Sequence, residues 1–123
     1  VKFSFDAAPG SLMITGYDQD SVVVRGRSIA PPLLLTPDAL HEDLDIPALS
    51  GIALPLLQSI AQRGAEIILI GTGPRQVFLP SALVQEAATL GIGVEAMNTP
   101  AACRSYNVLV SEHRAVALLL PAR

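Results

Sequence analysis

The sequence predicts one α/β domain, and two patterns carry that prediction. From about position 50, apolar stripes at helical spacing alternate with short aliphatic runs at 67–70, 92–96 and 115–120. Glycine closes the first two helical stretches, at Gly64 and Gly91. Strands separated by helices satisfy the βαβ signature and imply right-handed crossovers with helices covering a sheet. The expected architecture is a three-layer α/β/α domain over residues 1–123. Its sheet is mixed: the C-terminal βαβαβ part is parallel, and N-terminal hairpin strands are antiparallel.

Each element has a local reason. Runs at 12–17 and 21–25 read as strands joined by the polar turn Asp18-Gln19-Asp20, a hairpin that extends the sheet or folds over one edge. Pro31-Pro32 introduces a strand at 33–36, and the acidic stretch 36–47, carrying Asp38, Glu42, Asp43 and Asp45, is expected as a surface connection. Leu56, Leu57, Ile60 and Ala61 form the stripe of a first helix with Pro55 in its first turn. The run 67–70 is fully apolar, as a strand covered on both faces should be. A second helix, about 81–90, places Leu83, Val84, Ala87 and Ala88 on one face. Thr99 is expected to cap a third helix with Pro100 at its first position, and Ala102, Tyr106, Leu109 and Val110 make its buried face.

Composition bounds the function. The chain is 50% hydrophobic and 15% charged, which excludes disorder and supplies a core. No apolar run approaches the roughly 20 residues of a membrane helix, so a soluble protein without direct membrane insertion is expected. Eight Lys plus Arg against eleven Asp plus Glu leave a net charge of −3, no footprint for nucleic acid. The single cysteine, Cys103, excludes an internal disulfide, a CxxC pair and a multi-cysteine zinc site, and a reducing, cytoplasmic setting is expected. The chain opens on Val1 without a signal-peptide pattern, and a trimmed start is expected.

Candidate chemistry is sparse. Gly71-Thr72-Gly73 after a buried strand resembles the opening of a dinucleotide-binding turn, with Glu95 where a ribose-binding acid would stand. The fingerprint then fails, because Gln76 occupies the third glycine position and residues 77–80 delay the helix. No cofactor is expected. A better candidate is a crevice shared by Gly71, Thr72 and Gly73 with the helix start at Asn98 and Thr99. Both follow strands of the same parallel set, and backbone N–H groups, Arg75 and Arg104 would bias the crevice toward an anion. Cys103 is expected to be structural, since His113 lies nearly three turns down the same helix. His41 and His113 are isolated, and neither a metal site nor a catalytic residue is expected.

The C-terminal half carries Leu69-Ile70-Gly71-Thr72-Gly73, then Gly91-Ile92-Gly93-Val94-Glu95, then Asn98-Thr99 and Ala101-Ala102-Cys103-Arg104-Ser105-Tyr106-Asn107-Val108-Leu109, with Glu112 and Arg114 closing. Over about 12–120 the chain resembles the family called domain of unknown function 498, of Mth-938-like fold. Leu44 stands where many members carry a tryptophan. The resemblance implies a compact α/β/α domain with no established catalytic residue, and its eukaryotic relatives include mitochondrial complex I assembly factor 3. It favours a non-enzymatic assembly or interaction module with protein partners, as monomer or homodimer. The alternative is a small-molecule binder or enzyme that takes an anionic ligand at the crevice.

Overall fold

The computed structural model describes residues 9–123. The chain first forms a small antiparallel sheet from β1 (Gly16–Tyr17), β2 (Val22–Val24) and β3 (Arg27–Ile29), in that spatial order. Asp18 closes the first turn. Its Oδ1 accepts the N–H groups of Asp20 and Ser21, each at 2.8 Å. The Asp20 N–H and then the Ser21 hydroxyl hold its carboxyl below the usual carboxylate range. β3 is an element that the sequence pattern did not reveal. It follows a tight turn through Arg25 and Gly26, at φ 51° and 77°, and the arginine in the first left-handed position hides the turn signal that Asn-Gly would give.

The main sheet contains β4 (Leu33–Leu35), β5 (Leu40–His41), β6 (Ile67–Gly71), β7 (Gly93–Met97) and β8 (Val116–Leu120) in the order β5-β4-β8-β6-β7. β6 runs parallel to both β7 and β8, and β4 runs antiparallel to β8 and β5, so the sheet is mixed. The acidic connection is therefore not all loop. The Ala39 N–H donates to the Thr36 hydroxyl at 3.1 Å, closing a turn that returns Leu40 and His41 to the sheet edge. Its acids, Asp38, Glu42, Asp43 and Asp45, remain exposed.

Three helices cover this sheet: α1 (Leu54–Ala61), α2 (Ser81–Thr89) and α3 (Thr99–Ser111). The crossovers β6-α2-β7 and β7-α3-β8 step in opposite directions across the sheet, so a constant hand places α2 and α3 on opposite faces. Alternation along the strands divides the core accordingly. Leu33, Leu35, Leu69, Leu118 and Leu120 pack with Ala102, Cys103, Tyr106 and Val110 of α3 and with Val22, Val24 and Ile29 of the small sheet. Leu34, Ile68, Ile70, Ala117 and Leu119 pack with Leu57 and Ile60 of α1 and Ala87 of α2. The N-terminal hairpin thus stands as a separate sheet sharing the α3-side core; it does not lengthen the main sheet. On α2 only Ala87 is fully buried, while Ala88, expected on the same face, is exposed.

Two neighbours on α3 tie the segment before β1 to the core. Asn107 is fully buried; its Oδ1 accepts the Ile14 N–H at 2.9 Å and its Nδ2 donates to the Ile14 carbonyl at 2.7 Å. The side chain thereby serves Ile14 as a neighbouring strand would. Tyr106 donates its hydroxyl to the Leu12 carbonyl at 2.9 Å, and burial pushes that phenol well above its usual pKa.

Candidate functional site

Outside the carboxyl ends of β6 and β8 lies a cleft of about 830 Å³. Its walls are the β1–β2 turn at 17–22, the loop 71–74, the first residues of α3 and the chain at 120–123, with Pro31 and Leu49 below. An open α/β sheet offers its crevice on this side, outside the carboxyl ends of its strands. Gly71, Thr72, Gly73 and Thr99 line it.

The two loops that the sequence placed together are joined directly. The Thr72 N–H donates to the Met97 carbonyl at 2.8 Å, the Thr99 N–H to the Gly73 carbonyl at 2.8 Å, and the Gly73 N–H to the Thr99 hydroxyl at 2.9 Å. The last bond requires a correction to the expected cap. Asn98, not Thr99, is the N-cap of α3: its Oδ1 accepts the Ala101 N–H at 2.9 Å. Asn98 holds the non-helical backbone a cap needs, with its carbonyl also taking the Ala102 N–H at 2.9 Å. Thr99 is left free to grip the glycine turn. These bonds occupy the N–H groups of Thr99, Ala101 and Ala102, and Pro100 has none, so the helix start spends its donors on the protein itself.

The charges are arranged differently from the expectation. Arg75, Asn98 and Arg104 are not among the residues lining the cleft. Arg104 Nη1 donates to the Tyr17 hydroxyl at 2.9 Å, one step behind the wall, and Arg75 is exposed in the loop beyond Pro74. At the rim stand Asp18, Asp20 and Arg123; Arg123 bridges Asp20 at 2.6 Å and donates to the Gln19 carbonyl at 2.6 Å. The sequence reading missed residues 120–123 and the hairpin turn as walls, because only the strand order reveals that β8 lies beside β6.

Beside the cleft, residues 74–80 form a pinned loop. The Thr72 hydroxyl accepts the Val77 N–H at 3.2 Å and donates to the carbonyls of Arg75 and Met97. The loop holds Phe78 outward, 81% exposed, with Val77 beside it.

Cys103 faces the core from α3, and burial pushes its thiol up to about 12, with Arg104 opposing weakly. The folded protein should therefore react with a thiol reagent at pH 8 far more slowly than the urea-unfolded chain. Equal rates, followed by absorbance of the released reagent, would refute the structural assignment. Among the described residues no three His, Cys, Asp or Glu side chains are grouped to hold a metal ion, and no helix is long and apolar enough to cross a membrane.

Fold and cleft together define a small three-layer α/β module with a crevice at the strand ends and an exposed aromatic loop beside it. The chain belongs to the family of proteins of unknown function DUF498/DUF598, whose profile matches residues 14–121. The 13 kDa major membrane protein of Francisella tularensis subsp. holarctica is 36% identical over 72% of this chain and 73% of its own length. NADH dehydrogenase [ubiquinone] 1 alpha subcomplex assembly factor 3 of Danio rerio is 30% identical over 93% of this chain and 67% of its own. A crystal structure of a Bordetella parapertussis protein superposes with a TM-score of 0.81 at 30% identity, covering 94% of this chain and 99% of that one.

Proposed function

We propose that this chain is a non-enzymatic assembly or interaction module that docks on protein partners through the loop carrying Phe78. The observation behind the reading is Phe78 itself: a large aromatic side chain left in solvent on a backbone that Thr72 holds in place. A rigid exposed aromatic loses little conformational freedom on binding, which is the property of an interface anchor. The similarity to assembly factors of NADH dehydrogenase, which extends along nearly the whole chain, supports the same reading. The partner class it points to is the subunits of such a dehydrogenase, reached from the cytoplasm by a monomer or homodimer.

The test is co-purification of the tagged chain from cells. NADH dehydrogenase subunits should be retained by the native sequence and lost with Phe78→Ser, at an unchanged thermal midpoint. Retention that ignores Phe78→Ser, or no retention of those subunits, would overturn the reading. The cleft of about 830 Å³ favours a second reading, a binder of a small anionic molecule at Gly71, Thr72, Gly73 and Thr99, with Arg104 behind the wall through its bond to Tyr17. That reading requires a metabolite that raises the midpoint of the native protein and not of Arg104→Ala.

A further inference from the structure

A second concavity, of about 310 Å³, lies at the opposite end of the sheet, by the amino ends of β6 and β8. Ser11, the turn at Thr36 and Asp38, the end of α1 with Arg63, and the end of α3 with His113 and Arg114 form its walls. Neither Arg63 nor Arg114 forms an ion pair among the described residues, whose two bridges are Arg27 to Glu42 and Arg123 to Asp20. His41 Nε2 lies 3.4 Å from Arg63 Nη1 and steadies that guanidinium. Two arginines and both histidines thus gather at one end of a chain that has only eight Lys plus Arg and two His, against a net charge of −3.

His113 brings a third basic side chain to the same groove from the end of α3. The chain leaves α1 and α2 through Gly64 and Gly91, at φ 105° and 80°, but leaves α3 through His113 at φ 60°. Left-handed backbone is disfavoured for a residue with a Cβ, so a histidine there accepts strain that glycine would avoid. That backbone belongs to the cap that closes α3, with His113 as the left-handed residue of a Schellman turn. The backbone N–H groups of His113 and Arg114 already donate to the carbonyls of Val110 and Leu109, each at 2.9 Å. Both side chains remain available to the groove.

We infer that this groove binds a phosphate group, gripped by the guanidinium groups of Arg63 and Arg114 and by the ring N–H of His113. Planar guanidinium forks match the spacing of phosphate oxygens, which a scattered positive surface does not. Ser11 offers a hydroxyl on the same wall. Among the described residues Asp38 is the one carboxylate lining the groove, and it accepts a hydrogen bond from a protonated phosphate oxygen or from a hydroxyl of the molecule that carries the phosphate. The site is distinct from the Phe78 loop and from the first cleft, so it stands or falls separately from the function proposed above.

Calorimetric titration and thermal melts of the full chain in inorganic phosphate, against sodium chloride at equal ionic strength, test the inference. Phosphate should raise the midpoint, and Arg63→Gln and Arg114→Gln should each weaken its affinity about tenfold, a magnitude typical of one lost charge-assisted hydrogen-bond pair. Arg75→Gln, in an exposed loop at the other end of the sheet, should leave it unchanged. His113→Gly should weaken binding without lowering the midpoint of the unliganded protein, which separates a ligand contact from a structural one. Glycerol phosphate, run in parallel, separates the two sources: tighter binding that Asp38→Asn abolishes marks an ester as the ligand, and equal or weaker binding marks free phosphate. A midpoint indifferent to phosphate, or an affinity that survives both Arg63→Gln and Arg114→Gln, would overturn the site.

Discussion

Asn107→Leu is expected to be among the most damaging single substitutions in this protein, lowering stability by about 4 kcal/mol. The argument starts from what Ile14 would lose. Its N–H and its carbonyl are both buried, and both find their partner in the Asn107 carboxamide, at 2.9 and 2.7 Å. Leucine fills a similar volume and offers neither a donor nor an acceptor, so two backbone groups lose their partners at once. Leaving a buried donor or acceptor unpaired costs roughly 1–3 kcal/mol each. Tyr106→Phe removes one bond to the Leu12 carbonyl and nothing else, so about half of that loss is expected from it. Urea unfolding of the two variants at equal m-value measures the difference. Equal losses would show that the carboxamide does not act as a surrogate strand. Early hydrogen exchange at the Ile14 amide in Asn107→Leu would locate the damage.

The same pair shows how a sequence can display a motif and conceal its reason. Tyr106-Asn107 stands in the stretch that most specifically marks the family resemblance, yet neither residue touches the cleft. They hold residues 12–14, more than ninety positions away in sequence. No periodicity predicts which backbone groups a buried asparagine will serve. The parallel half of the fold was legible because each element there carries several agreeing signals: Pro55 and Gly64 around α1, unbroken apolar residues in β6, Pro100 and the apolar stripe of α3, although its cap was read one residue late. The N-terminal half was less so. β3 pairs over three residues behind a turn with arginine in a glycine-like position, and β5 pairs over two inside an acidic stretch, too short for alternation to register. The junction of the loops at Gly73 and Thr99 followed from the βαβ reading. The walls at 120–123 did not, because spatial strand order is not written in the order of elements. Nor did the sequence reveal that Arg63, Arg114 and His113, scattered over fifty positions, face one groove.

Gly71→Ala is expected to destabilise the protein by about 3 kcal/mol, roughly 10 °C in the thermal midpoint, through overpacking at the heart of the junction. The position does not require glycine for its backbone angles, since Gly71 is not among the glycines of positive φ. It requires glycine for space. A Cβ there would meet Leu120 Cδ2 at 2.5 Å, the Thr99 hydroxyl at 2.9 Å and the Thr99 Cα at 3.3 Å. None of the three can easily withdraw. Leu120 is buried in the central strand β8, and the Thr99 hydroxyl is engaged by the Gly73 N–H at 2.9 Å. The Thr99 Cα belongs to the first turn of α3 and cannot move without shifting the helix against the sheet. Relief must come from displacing that helix start, which lengthens the bonds joining loop 71–74 to Met97 and Thr99 and changes the wall of the cleft. Gly73→Ala provides the contrast: nothing lies within 4 Å of its Cβ, and its penalty arises from φ 90° alone. If Gly71→Ala melted within a degree or two of the native protein, the close approach of α3 to β6 would not be the constraint that fixes this end of the molecule.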